Sequence, residues 1–245
     1  MPEEIFVNSQ TVIFFQQTLA KPEKIWSELS DKFPNIFDQP PLILPIPNQS
    51  EISQVPVVQI SSSNGVYRIN ISRKRVDFFV AGEGKQKFSD KKDSILEKSV
   101  ILFNFFKNLT KVSRIAFIVR NFIEEDNAVK VLSNLLLPGF TSLYEGDVFD
   151  SHIRYTTRHD FEAFKINNYS LVEKSEVNIN INNTIKKSTG ILITRDFNTI
   201  PENDLSEQID GSSFTNFISM ASNFVSDISN IKRILWEKKE QKQPL

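Results

Sequence analysis

The feature that most constrains this fold is an alternating pattern on either side of an Asn-Gly pair. The turn-forming segment Ser62–Gly65 separates two runs rich in β-branched residues, Val55–Ile60 and Val66–Ser72. Asn-Gly is favoured in tight hairpin turns because both residues accept a positive φ. In the second run every other residue is apolar, which is typical of a strand with one buried and one solvated face. The pattern predicts a hairpin with a type I′ turn, extended by a third strand over Val76–Val80.

Several other segments show the two-residue period of a strand or the spacing of a helix. The two-residue period predicts strands at Thr11–Leu19, at Arg114–Ile123 and in several runs between Val148 and Phe197. Apolar residues three or four positions apart predict helices elsewhere. These predicted helices are Pro22–Phe33, Ser89–Leu109, Asn127–Leu137 and Phe214–Leu235.

Two of the predicted helices, Ser89–Leu109 and Phe214–Leu235, carry broad apolar stripes. Leaving a large apolar side chain in water forfeits roughly 1.5–3 kcal/mol, so both stripes need a sheet to cover them. We therefore expect an α+β fold in which an antiparallel sheet has helices packed on one face and a long amphipathic helix at the C-terminus. Residues 1–245 are treated as a single domain, and the segment 139–150 is the best candidate for a division.

The composition excludes several classes of function. Without cysteine the chain has no thiolate chemistry and no Cys-ligated zinc. It has neither a glycine loop that would cradle phosphate nor a His-Glu-x-x-His helix, so we expect no cofactor and no metal. The first residues are acidic where a signal peptide is basic, and no apolar run has transmembrane length. We expect a cytoplasmic protein that does not bind membranes.

Both histidines of the chain lie in one short segment, His152–Asp160. Such a mixture of side chains can perform acid–base chemistry or hold a phosphate group. In an extended strand, however, His152 and His159 would face opposite sides. The interpretation we favour is a polar strand face with no catalytic residues, and the alternative is a catalytic site. The residues of that alternative site are His152, Arg154, Tyr155, Arg158, His159 and Asp160.

A second group of candidate residues is basic. Arg68, Arg73, Lys74 and Arg75 lie in and beside the predicted hairpin, and Asp77 partly offsets their charge. Local positive charge can contact phosphate or an acidic partner, and it also deters pairing at a strand edge. Few aromatic residues separate these basic residues in the sequence, so protein is the favoured partner and nucleic acid the alternative.

The C-terminal helix is a candidate for self-association. Its apolar stripe includes Phe217, Phe224, Ile228 and Ile231, at a spacing similar to that of a heptad repeat. Packing within the chain would give the same pattern. Because further apolar residues flank the stripe, we predict a homodimer formed through this helix or through an uncovered strand edge.

The order of these elements resembles a sporadically distributed family of uncharacterised prokaryotic proteins of about this length. The resemblance spans most of the chain and includes the strand Arg114-Ile-Ala-Phe-Ile-Val-Arg120-Asn121. In that family an Arg in this strand is followed by an Arg-Tyr-Asn-like segment, which Arg120-Asn121 matches in part. The resemblance implies a cytosolic α+β architecture and a prokaryotic origin. It implies no catalytic residues, because that family has no established activity.

Two functional hypotheses follow. The first is a non-enzymatic partner-binding protein, an accessory or neutralising component of a bacterial stress or phage-defence locus. The second is a nucleic-acid-binding or phosphate-processing, nuclease-like enzyme centred on His152 and His159. The net charge of −1 favours the first, since a protein that binds nucleic acid over its whole surface is usually basic.

Overall fold

The computed structural model describes residues 2–44, 54–136, 150–162, 164–181, 184–201 and 209–236. Within these residues the main element is a nine-stranded antiparallel sheet. Its strands are β1 (Glu4–Phe15), β2 (Leu42–Ile43), β3 (Val58–Ser61), β4 (Tyr67–Ile71), β5 (Arg75–Ala81), β6 (Val112–Glu124), β7 (His152–Phe161), β8 (Phe164–Ile181) and β9 (Thr184–Thr199). Their order across the sheet is β2-β3-β4-β5-β1-β6-β9-β8-β7.

Helices occupy the connections between the strands and the end of the described chain. Short 3₁₀ turns at Pro22–Lys24 and Phe88–Asp90 precede the first two helices. The combination of a large antiparallel sheet with separate helices confirms the predicted α+β class. The helices are α1 (Trp26–Asp31), α2 (Lys92–Lys107), α3 (Ala128–Leu136), α4 (Gly211–Ser226) and α5 (Ser229–Trp236).

The predicted hairpin is present as β3 and β4, but its predicted turn type is wrong. Only Gly65 has a positive φ in this turn, at 71°, whereas a type I′ turn needs two such residues. The Gly65 N–H donates to the carbonyl of Ser62 at 3.0 Å. The Asn64 carboxamide oxygen accepts from the Ser62 hydroxyl at 2.7 Å and from the Val66 N–H at 3.0 Å. Asn64 therefore caps the turn with its side chain and does not enter the left-handed region.

The main hydrophobic core joins helices to one set of alternating strand residues. Three phenylalanines on different strands lie on one side of the sheet: Phe78, Phe117 and Phe197. Thr11 of β1 is the register partner of both Phe78 and Phe117, and Phe117 is the register partner of Phe197. They share a buried cluster with helix residues such as Phe103 and Phe214. A second cluster joins residues of α3 and α5 to strand residues on the same side, among them Val172, Ile191 and Ile193.

A smaller hydrophobic cluster consists of strand residues alone. Its buried members are Ile5, Phe122 and Ile179. Ile5 and Phe122 are register partners. Phe122 lies between Asn121 and Ile123, which face the main core, so its side chain points to the other side of the sheet. This third cluster therefore lies on the other side of the sheet, at one end of its central strands.

The C-terminal helical stretch is not the single long helix that was predicted. Asp227 has an extended backbone, with ψ of 91°, and separates α4 from α5. Its carboxylate accepts hydrogen bonds from the N–H and hydroxyl of Ser229, and these bonds lower the pKa of Asp227. The Asp227 side chain thus forms a local turn with the first residue of α5, a conformation that aspartate favours.

Some predictions fall on residues outside the described ranges. These include most of the candidate division at 139–150, of which only Asp150 is described. Strands from both sides of that segment belong to one sheet. In the ranges that the structure covers, no helix is both long and apolar enough to cross a membrane.

Candidate binding surface

The segment with both histidines forms β7, the outermost strand at one edge of the sheet. His152 pairs with Glu173 and His159 with Ile166, in unbroken register along the strand. Because they are seven positions apart in one strand, the two histidines lie on opposite sides of the sheet. All six residues of the alternative catalytic site are exposed: His152, Arg154, Tyr155, Arg158, His159 and Asp160.

The contacts of this edge strand are those of a polar surface. The His159 Nε2 atom lies 3.0 Å from the hydroxyl of Thr157, and the Arg158 Nε–H donates to the Asn167 side chain at 3.1 Å. Among the described residues, no ion pair joins either histidine to a carboxylate, and no group of three His, Asp or Glu side chains is placed to hold a metal ion. The structure therefore brings no acid–base pair together on β7.

Arginines from four strands, β4, β5, β6 and β7, lie on the side of the sheet opposite the main core. We call this surface the arginine side. One row across it runs from Arg75 through Phe14 to Arg114, which are consecutive register partners on β5, β1 and β6. A second row runs from Arg68 through Phe79 to Gln10. The arginines of the arginine side are Arg68, Arg75, Arg114, Arg120, Arg154 and Arg158.

Aromatic rings lie beneath four of these arginines. The guanidinium carbon of Arg114 is 4.7 Å from the centre of the Phe14 ring, and that of Arg75 is 5.6 Å from the same ring. Arg68 stacks over Phe79 at 4.5 Å. Toward the other edge of the sheet, Arg154 lies 5.2 Å from the centre of the Tyr169 ring. Each pair has the geometry of a cation–π contact.

Hydrogen bonds fix the polar groups between the rings. Asp77, only 4% exposed, accepts from Arg75 at 2.7 and 2.8 Å and from the Gln10 side chain at 2.8 Å. The Arg120 Nη1–H donates to the Asn8 side chain at 2.9 Å. Such contacts hold the guanidinium planes in place before any partner arrives, which lowers the entropy lost on binding.

A partly buried carboxylate, that of Asp196, lies in the middle of the arginine side. Burial raises the pKa of Asp196, and this effect outweighs a hydrogen bond from Asn198 and the attraction of Arg120 and Arg114. Asp77 and Asp196 therefore divide the positive charge of this surface into separate patches.

The predicted basic group is only partly on this surface. Arg68 and Arg75 belong to the arginine side, whereas Arg73 and Lys74 lie in the turn between β4 and β5. The Lys74 ammonium donates to the carbonyl of Gln16 at 2.9 Å. Sequence reasoning missed the rings of Phe14, Phe79 and Tyr169. In their strands these three residues alternate with the core-facing residues, and this alternation could have predicted that the rings lie on the other side of the sheet.

The residues predicted for a dimer interface differ in exposure. Phe217 and Ile228 are buried within the chain's own core, and Ile231 is partly buried. Phe224 is 48% exposed, with its ring 5.1 Å from that of Phe197. Ile234, on α5, is also exposed. Any contact with a second copy through this stretch would therefore rest on Phe224 and its exposed neighbours.

Fold and surface together define an α+β protein with a nine-stranded antiparallel sheet and a set of arginine–aromatic pairs on one of its sides. Comparison with models of protein families and with curated protein sequences finds no match.

Proposed function

We propose that this is a non-enzymatic binding protein whose arginine side docks onto an acidic surface of a protein partner. The observation that carries the proposal is the set of four arginines stacked over Phe14, Phe79 and Tyr169. In this proposal the helices cover the opposite side of the sheet and leave the arginine side open.

Stacked arginines suit protein recognition for two physical reasons. A guanidinium over a ring is weakly hydrated on its stacked face, and the contact gains roughly 0.5–1 kcal/mol when exposed and about 2 kcal/mol when a partner removes water. The fork of N–H groups remains available for paired hydrogen bonds to carboxylates. Arginine and aromatic side chains also dominate the energetic centres of protein interfaces.

The charge distribution favours a protein over nucleic acid. The whole chain has a net charge of −1, and Asp77 and Asp196 interrupt the positive charge of the arginine side. In this proposal the partner carries separate acidic residues that pair with Arg68 and Arg154, two of the exposed arginines, which lie toward opposite ends of the surface. A role as an accessory or neutralising component of a bacterial stress or defence locus is consistent with such binding and is part of the proposal.

Charge reversal tests this function. The double variant Arg68→Glu, Arg154→Glu changes two exposed residues of the arginine side, and Arg233→Glu on α5 is a matched control on an exposed helix position. We expect the wild-type protein and the control to retain a nuclease-resistant protein partner from an extract of the source cells, and the double variant to lose it. His152→Ala and His159→Ala should retain it.

Two outcomes would contradict this proposal. If the double variant binds the same partner as well as the wild type does, the arginine side is not the interface. If the retained material is nucleic acid and binding falls steeply as salt is raised, the nucleic-acid alternative replaces the proposal.

We also propose self-association as a homodimer. Exposed apolar residues occur at Phe224 and Ile234 of the C-terminal helices and at Leu42 and Ile43 of the edge strand β2. A two-fold contact would remove such residues from water, and two-fold symmetry is the commonest arrangement of identical subunits.

A further inference from the structure

A cavity of about 410 Å³ lies between the last three strands and the break that separates α4 from α5. It is on the core-facing side of the sheet, away from the arginine side. Tyr155, Asn168 and Arg195 line it from β7, β8 and β9. Phe224, Asp227 and Ile231 line it from the helices. The volume is within the usual range of small-molecule sites.

Arg195 is a buried cation in this cavity, and no carboxylate in the described part of the chain forms an ion pair with it. Its side chain faces the core because its register partners are Val119 and Ser170, and it is 7% exposed. The Nη1–H donates to the carbonyl of Asp227 at a long 3.5 Å, and the Nε–H has no hydrogen-bond partner in the described structure. No carboxylate of the described residues lies within ion-pair distance of it.

The acidic side chain among the described lining residues, Asp227, is already engaged. The Asp227 carboxylate accepts from the N–H and hydroxyl of Ser229 at the start of α5. Burial lowers the pKa of Arg195, and attraction from Tyr155 and Asp227 only partly opposes it. Because a guanidinium does not lose its proton in proteins, the fold keeps a poorly solvated positive charge here, which is costly.

Two neighbouring polar groups also lack partners. The Asn168 side-chain oxygen and the Ser170 hydroxyl form no hydrogen bond with described residues, although Asn168 is 7% exposed and Ser170 is 0% exposed. Ser170 is the direct register partner of Arg195, and Asn168 is two residues before it on the same side of β8. Buried polar groups are nearly always satisfied in native proteins. Arg195 and Asn168 line the cavity and Ser170 lies beside them on β8, so these unpartnered groups indicate that a polar ligand is missing there.

We propose that this cavity binds a small organic oxyanion, a carboxylate or a phosphate monoester, whose charged group pairs with Arg195. The apolar part of the ligand contacts Phe224 and Ile231, and the phenol of Tyr155 lies at the rim. The ligand supplies the counter-charge that the described residues do not place beside Arg195, and its oxygens accept N–H groups of the guanidinium. Asn168, which also lines the cavity, donates a further hydrogen bond from its amide nitrogen when its side chain turns over. This site is independent of partner binding by the arginine side.

Thermal denaturation with small probes tests the proposal. The probes are benzoate and phenyl phosphate, with benzamide as the uncharged isostere of benzoate. We expect the two anions to raise the melting temperature of the wild-type protein in a saturable way, since a ligand that binds only the folded state stabilises it. Benzamide should have a much smaller effect. Arg195→Met should weaken anion binding by roughly tenfold to a hundredfold, the factor expected for the loss of charge-assisted hydrogen bonds.

Matched variants separate a binding role from a structural one. Arg233→Met, at an exposed position of α5, should respond to the anions as the wild type does. Without ligand, Arg195→Met should melt no lower than the wild type, because it removes an unpaired buried charge. If Arg195→Met does not fold, Phe224→Ala at the exposed side of the cavity provides the second readout and should weaken anion binding.

Three results would overturn the proposal. The first is that neither anion raises the wild-type melting temperature at millimolar concentration. The second is that benzamide has the same effect as benzoate. The third is that Arg233→Met loses the anion response together with Arg195→Met, because this would indicate a general effect of surface charge.

Discussion

The stacked rings of Phe103 and Phe214 connect α2 to α4 above the sheet. Their centres are 4.1 Å apart with an angle of 10° between the planes, and the two residues are 0% and 1% exposed. Phe103→Ala removes one ring of this pair and leaves a space in the main core. Because the core is densely packed, the neighbouring side chains can fill that space only in part.

The expected loss of stability follows from this environment. Replacing a fully buried Phe with Ala costs roughly 3–5 kcal/mol, and a paired ring belongs in the upper half of that range. For a chain of this length, each kcal/mol lowers the melting temperature by roughly 2–4 °C. We therefore expect Phe103→Ala to lose about 4–5 kcal/mol of unfolding free energy and to melt roughly 8–20 °C lower.

Urea unfolding followed by tryptophan fluorescence measures this loss, since Trp26 packs against the same core and reports its disruption. Phe224→Ala is the matched control. The ring of Phe224 is 48% exposed, so the control should lose less than about 2 kcal/mol. Equal losses for the two variants, or a loss below about 1 kcal/mol for Phe103→Ala, would refute the packing of α2 against α4 described above.

Three further predictions concern a carboxylate, a turn and the oligomeric state. Burial raises the pKa of Asp196, so the unfolding free energy of the wild-type protein should fall as pH rises through that pKa, and Asp196→Asn should remove this fall. Urea unfolding of both proteins at several pH values measures it. The same pH profile for the wild type and the variant would contradict the reasoning. Gly65→Ala places a side chain at a φ of 71° and should lower the unfolding free energy by about 1 kcal/mol, whereas Gly65→Asn should lower it less. Calorimetry would contradict this if the Ala variant had the same melting temperature as the wild type. Light scattering should give a molecular mass of about twice 28.2 kDa for the wild-type protein. Phe224→Asp should lower that mass without changing the circular dichroism spectrum. A wild-type protein that stays monomeric at high concentration would exclude the dimer.

Local periodicity in the sequence was sufficient to identify most of the regular elements. The alternation over Arg114–Ile123 predicted a strand that the structure extends to Val112–Glu124. The apolar stripe over Ser89–Leu109 predicted a helix that is present at Lys92–Lys107. Such patterns are readable because neighbours along the chain alternate across a strand or recur on one face of a helix.

Boundaries and turns depended on contacts that the local sequence does not show. β1 begins at Glu4, well before the predicted start at Thr11, because β6 pairs with it from Glu4 onward. β5 joins on the other side from Asn8, and polar Ser9 and Gln10 are buried. The stripe over Phe214–Leu235 did not indicate the break at Asp227, which depends on the turn made with Ser229. A helical period continues through a break when both helices face the same core.

The candidate sites depended most on tertiary structure. The sequence alone determined an antiparallel α+β protein with basic residues around a hairpin. Only the strand order placed the ring of Phe14 between Arg75 and Arg114. Only the packing of α4 and α5 over β9 buried Arg195 at a place where no described carboxylate pairs with it. Alternation is a property of neighbours along the chain, whereas a site is formed by residues from distant segments, and which segments meet is decided by the burial of the whole core.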